Sequence, residues 1–188
     1  MAAARNVCVV CLVAALLAAL APSMPAGSAK AGAVEPQEPV VQVPLPVMVA
    51  AVTGWVAAEL GEPIPDEMPA IVFVDRAAIR ALVRSDGILP APDRGSDTEV
   101  QALYLSESRT IFLPTGWSGA TAAQVSILVH EIVHHFQALR GDTYPCRAAR
   151  ERLAYEVQER WLATHGESLE SALGVGPLYR LIVTNCLF

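Results

Sequence analysis

The chain has 188 residues, a net charge of −6 and 53% apolar residues. That length suffices for one domain with a real core. There is no basic run and no alternation of aromatic with basic residues, which argues against nucleic acid as a main partner.

The N-terminus carries one positive charge, Arg5, ahead of an apolar run from Val7 to Leu20. Small residues follow, and Ala29-Lys30-Ala31 has the A-x-A form of a signal-peptidase site, with Gly27-Ser28-Ala29 as a second candidate. The run is shorter than the ~18–20 residues a spanning helix needs. Residues 1–31 are therefore expected to be removed as a signal peptide, together with Cys8 and Cys11. The mature chain is expected to be exported, to a bacterial periplasm or beyond, with no membrane attachment after cleavage. Residues 32–46 contain Pro36, Pro39, Pro44 and Pro46 and read as a linker or short pro-segment, so the folded domain is expected over 47–188.

The domain opens with an Ala- and Val-rich helix predicted over 47–60, anchored by Trp55 and closed by Gly61. After a Pro-rich turn, the continuous apolar run Ala70-Ile71-Val72-Phe73-Val74 predicts a buried strand. Asp75 can cap a helix running to about Arg84, and the Gly- and Pro-bearing residues 85–97 read as a loop. Residues 100–105 and 110–113 flank Ser106-Glu107-Ser108-Arg109, which predicts a β-hairpin with a four-residue connection.

A helix is then predicted from Thr121, where Thr121-Ala122-Ala123-Gln124 has the form of a capping box, to a stop at Gly141. Val125, Val129, Ile132, Val133 and Phe136 give it a wide apolar arc. On this helix lies His130-Glu131-Ile132-Val133-His134, an H-E-x-x-H motif. Histidines four apart stand one above the other on one face, so two imidazoles can reach one metal ion. Zn²⁺ accepts neutral imidazole and tolerates an open fourth position, and a Glu beside its water can act as general base. Two buried histidines without a partner would be costly, and a metal removes that cost. His135 lies too far round the helix to share that ion and reads as a packed or hydrogen-bonded histidine. Gln137 falls on the ligand face, where pairing with Gln158 between helices is favoured over orienting a ligand.

A third ligand is expected on the next helix, predicted over 145–164 with Pro145 in its first turn. At about 100° per residue, Glu151 falls on the arc of Ala154, Tyr155, Gln158 and Leu162, while Glu156 and Glu159 fall with Arg152 and Arg160 on the charged face. Pairs Arg152–Glu156 and Glu156–Arg160 are expected there. Two helices joined by a short turn pack antiparallel, which brings Glu151 toward His134 and makes it the favoured ligand, with Glu156 second. Cys146 and Cys186, the cysteines left after export, are expected to form one disulfide.

His130-Glu131-x-x-His134, followed by Glu151-Arg152-Leu153-Ala154-Tyr155 on the next helix, resembles the gluzincin branch of the zincin superfamily of zinc metallopeptidases. The resemblance implies an α+β, zincin-like fold in a minimal single-domain version. In it, a small mixed sheet with a hairpin edge packs on the H-E-x-x-H helix and the helix carrying the Glu ligand. It implies one Zn²⁺ on His130, His134 and Glu151 with water at the fourth position, Glu131 as general base, and a peptide or protein substrate laid along the hairpin edge. Tyr155 stands where many gluzincins carry an Asp that accepts the other N–H of a zinc histidine, a role a phenol can also fill. With no separate C-terminal domain to hold the oxyanion, Tyr155 is the catalytic candidate for that task, beside Tyr144, Tyr104 and His165. Two other functions fit the same residues: a non-catalytic zinc-binding interaction module, and a zinc amidase acting on a non-peptide bond such as one in a cell wall.

Overall fold

The computed structural model describes residues 43–85 and 101–186. The expected signal peptide and cleavage site, residues 32–42 of the expected linker, nearly all of the loop expected over 85–97 and Val100 lie outside the described residues.

Six helices and three strands are described: α1 (Leu45–Leu60), β1 (Ala70–Val74), α2 (Arg76–Ser85), β2 (Leu103–Leu105), β3 (Thr110–Pro114), α3 (Ala122–Arg140), α4 (Arg147–Thr164), α5 (Leu169–Leu173) and α6 (Pro177–Val183). The fold is α+β. Helix α1 starts two residues earlier than the linker reading allowed. Pro44 is its N-cap and Pro46 sits in its first turn, where a missing N–H costs nothing. The short helices α5 and α6 were not anticipated from the sequence. Among the described residues no helix is long and apolar enough to cross a membrane.

The sheet has the order β1-β3-β2. β1 pairs parallel with β3, from Ala70 opposite Thr110 to Val74 opposite Pro114, and β2 pairs antiparallel with β3. The run in β1 predicted a buried strand, yet β1 is an edge, with Val72 39% and Phe73 44% exposed. The buried centre is β3. Its alternation sends Ile111 and Leu113 to one face and Phe112 to the other, as a strand covered on both sides requires. On the first face Ile111 and Leu113 meet Val52 and Val56 of α1 and Leu128 and Ile132 of α3 in the main core, which extends to Ala154 and Val157 of α4. On the second face Phe112 and Leu103 meet Ile79 and Val83 of α2.

The hairpin connection closes with Arg109 at φ 50°, a left-handed conformation. This turns its carbonyl to accept the N–H of Ala70, which starts β1, at 3.0 Å. Both ends of α3 follow the sequence: the Thr121 hydroxyl accepts the Gln124 N–H, and Gly141 closes the helix at φ 68°. The capping box is only half formed, because the Gln124 carboxamide oxygen instead accepts from Ala120 N and Ser118 Oγ. Helix α4 starts at Arg147 rather than Pro145, with Cys146 as its N-cap. Cys146 is disulfide-bonded to Cys186, 40 residues on, just past α6.

Candidate metal centre

Helices α3 and α4 meet through Gln137 with Arg150, His134 with Glu151, and His130 with Gln158. The sequence order reverses between them, so the helices are antiparallel and Glu151 is carried back to the motif. His130 Nε2 and His134 Nε2 lie 3.2 Å apart, and Glu151 Oε2 is 3.0 Å from the first and 3.2 Å from the second. An ion held at about 2.0–2.1 Å by tetrahedral ligands separates those ligands by roughly 3.3 Å, so this spacing fits.

Hydrogen bonding constrains which nitrogens are bare. Gln137 Nε2 donates to the Arg150 carbonyl, which can only accept, so the Gln137 oxygen must be the atom facing His134 Nδ1 at 2.7 Å. Gln158 Nε2 donates to Ser126 Oγ, and its oxygen faces His130 Nδ1 at 3.0 Å. His130 Nδ1 therefore faces an acceptor and carries the proton, whereas His134 Nδ1 faces both the Gln137 oxygen and the Arg150 Nε–H, which donates to it at 3.0 Å; ligation through His134 Nε2 needs the Nδ1 proton directed to Gln137. With that proton so placed, two lone pairs and a carboxylate oxygen converging in a mostly buried space call for a cation. His130, His134 and Glu151 form a group that could hold a metal ion.

The electrostatics agree. Burial opposes a charge on His130, but the hydrogen bond and charge of Glu151, then the charge of Glu131 and the Gln158 contact, outweigh it and raise its pKa above 6.5. Burial likewise opposes charge on Glu151, and His134 and His130 overcome it, holding the carboxyl well below the usual range. A site that favours protons on its bases favours a metal cation in their place.

Glu131 is almost fully buried, and its charge acts on both His130 and Tyr155. The Tyr155 ring stacks edge-on against His130, centroids 4.8 Å apart at 71°. Burial first, then Tyr179 and the charges of Glu151 and Glu131, push its phenol well above 10, so it stays protonated. It does not take the histidine proton suggested for its position: Gln158, one turn further along α4, takes that of His130. Sequence reasoning placed both glutamines near the site but favoured their pairing with each other over the orienting of a ligand. They do not pair with each other, and each orients a separate histidine. The available signal was position, since Gln137 sits three residues after His134 and Gln158 lies two turns past Glu151 on one face.

The other candidates fall elsewhere. Glu156 is exposed, and Glu159 accepts the N–H of Leu169, so neither serves as a ligand. The expected pairs with Glu156 do not form: Arg152 bonds Asn185 and Arg160 bonds Glu59. The Tyr104 hydroxyl is spent on His135, and His165 stacks on Trp161 at the far end of α4. Tyr144 donates to Asp142 and lines a cleft of ≈ 440 Å³ beside His134, with Ser106, Arg147 and Arg150.

No curated protein and no solved structure matches the chain. The family described as Domain of unknown function (DUF6647) matches residues 42–173, which take in every residue of the site, and the chain belongs to that family.

Proposed function

We propose that this protein is an exported zinc-dependent peptidase, with His130, His134 and Glu151 as its metal ligands. The observation that carries this is the convergence of His130 Nε2, His134 Nε2 and Glu151 Oε2 to within 3.2 Å of one another, with a carboxamide oxygen facing each Nδ1. Two imidazoles and one carboxylate are the donor set that suits Zn²⁺ in a site with an open position. A bound Zn²⁺ supplies Lewis acidity there, acidifying water and polarising a carbonyl.

The chain's own residues do the rest. Glu131, between the two histidines in sequence, accepts a proton from the attacking water and returns it to the leaving amine. A purely structural ion has no use for a base at that place, which favours the enzyme over an interaction module. Gln137 and Gln158 hold the imidazoles in the ligating tautomer. Tyr155, kept protonated by burial, is the phenol we assign to the developing oxyanion. β2, paired only with β3 among the described strands, is the edge on which an extended substrate would lie.

Glu131→Gln keeps the size and burial of the side chain and removes the base. We expect one zinc per chain in both proteins by elemental analysis, and peptide hydrolysis reduced by at least about 10³-fold in the variant, the scale of a lost general base. Glu151→Ala should lose most of its zinc. Glu131→Gln that still turns over at near-native rate would sink the assignment.

A further inference from the structure

The cleft beside the metal centre is asymmetric in charge. His134 and Gln137 form one wall, and Arg147 and Arg150, one turn apart on α4, line the other side. Its one carboxylate, Asp142, is already engaged: Arg140 donates to both its oxygens, Tyr144 donates to Oδ2, and Arg140 first among these holds its pKa down. Arg150 is different. Its Nε–H donates at 3.0 Å to His134 Nδ1, the same nitrogen that must carry a proton toward the Gln137 oxygen when Nε2 ligates a metal. Two N–H groups cannot satisfy each other, so a metal-ligating His134 leaves the Arg150 guanidinium with donors and no acceptor there. Among the described residues no carboxylate pairs with Arg150. A partly buried guanidinium that lines an open cleft and has no carboxylate partner among the described residues is suited to an incoming anion, and its planar fork matches a carboxylate. The cleft volume of ≈ 440 Å³ lies in the range of small-ligand sites.

We infer that Arg150 forms a specificity subsite for a carboxylate of the substrate, so that the preferred substrates are acidic peptides. This rests on the peptidase reading and adds the substrate class. The carboxylate comes from an acidic side chain or from a free C-terminus, and one set of probes separates the two.

The probes are peptide hydroxamates of equal length, whose hydroxamate chelates zinc. One series is C-terminally amidated and carries Glu or Gln at either of the two positions after the hydroxamate. The other carries Gln at both and ends in a free carboxylate. Each is titrated calorimetrically into the full chain loaded with one equivalent of zinc, and into the Arg150→Gln variant. The expected result is about tenfold tighter binding of an acidic probe than of its neutral partner, with the ratio falling toward one in the variant. An advantage confined to the Glu probes assigns the subsite to a side chain; one confined to the free acid assigns it to a C-terminus. Equal binding of acidic and neutral probes, or a ratio that survives in the variant, overturns the subsite while leaving the metal centre intact. If no hydroxamate binds the zinc-loaded chain, the open metal site fails and the subsite fails with it.

Discussion

At the scale of single residues, the site depends on two neutral amides. Each glutamine is held by its own NH₂ group, Gln137 through the Arg150 carbonyl and Gln158 through Ser126, so its oxygen is aimed before any ion arrives. A carboxylate in the same position would polarise the imidazole more strongly, whereas an amide fixes the tautomer without adding charge. Replacing Gln158 with Leu leaves the His130 Nδ1–H without an acceptor. It also lets the ring protonate on either nitrogen, so part of its neutral population presents the wrong atom. We expect zinc affinity to fall about 10–100-fold in Gln158→Leu, measured by competition with a chromogenic chelator. Gln158→Glu should retain or improve it. An unchanged dissociation constant in Gln158→Leu would mean that the orientation of His130 is set by packing alone, with the Tyr155 ring the first suspect.

At the scale of elements, α3 is tied to the sheet by the histidine that does not face the metal. His135 Nε2 donates to the Glu67 carbonyl at 2.8 Å, so Nδ1 is the acceptor and the Tyr104 hydroxyl of β2 donates to it at 3.0 Å. Burial, then the nearby Arg109 charge, lowers its pKa to about 4, which keeps the ring neutral in this role. Glu67 in turn pairs with Arg109 of the hairpin connection, so one buried imidazole links β2, the approach to β1 and α3. His135→Phe fits the space but strands a hydroxyl and a carbonyl. At about 1–3 kcal/mol for each unsatisfied group, we expect a loss near 3 kcal/mol in urea unfolding, and a loss below about 0.5 kcal/mol would refute the link. Much of this level was legible in the sequence. The H-E-x-x-H helix, its Thr121 and Gly141 ends and the buried arc carrying Glu151 all follow from local chemistry and a period of 3.6 residues. What was not legible is set by sheet order. A continuous apolar run cannot say whether a strand is central, so β1 was read as buried although β3 holds the centre. The glutamines were read as a pair for a related reason: a buried amide has several possible partners, and only the antiparallel approach of α4 selects the histidines. The pairs expected with Glu156 failed because Arg152 and Arg160 found partners on other segments.

At the scale of the molecule, two cross-links act on α4. The disulfide fastens its N-cap to Cys186, just past α6, and a bound ion would fasten its second turn to α3 through Glu151. The disulfide spans 40 residues, and closing a loop of that size removes about 4 kcal/mol of unfolded-state entropy in the chain-entropy model. The ion closes a separate loop, the 21 residues from His130 to Glu151. At free zinc 100 times its dissociation constant, binding to the folded state alone adds about 2.7 kcal/mol. The loops share only the start of α4, from Cys146 to Glu151. If the disulfide stabilises solely by restricting the unfolded chain, the two contributions add. We therefore expect the Cys146→Ser/Cys186→Ser protein to lose about 4 kcal/mol with or without zinc, the zinc increment agreeing with that of the native chain within about 0.5 kcal/mol. The check is urea unfolding of both proteins, each with chelator and with buffered zinc. A zinc increment smaller by more than about 1 kcal/mol in the serine protein would mean something different. The disulfide would then hold the first turns of α4 in place, so that Glu151 reaches the histidines only when Cys146 is tied. Metal binding would in that case depend on the oxidising conditions that form the bond.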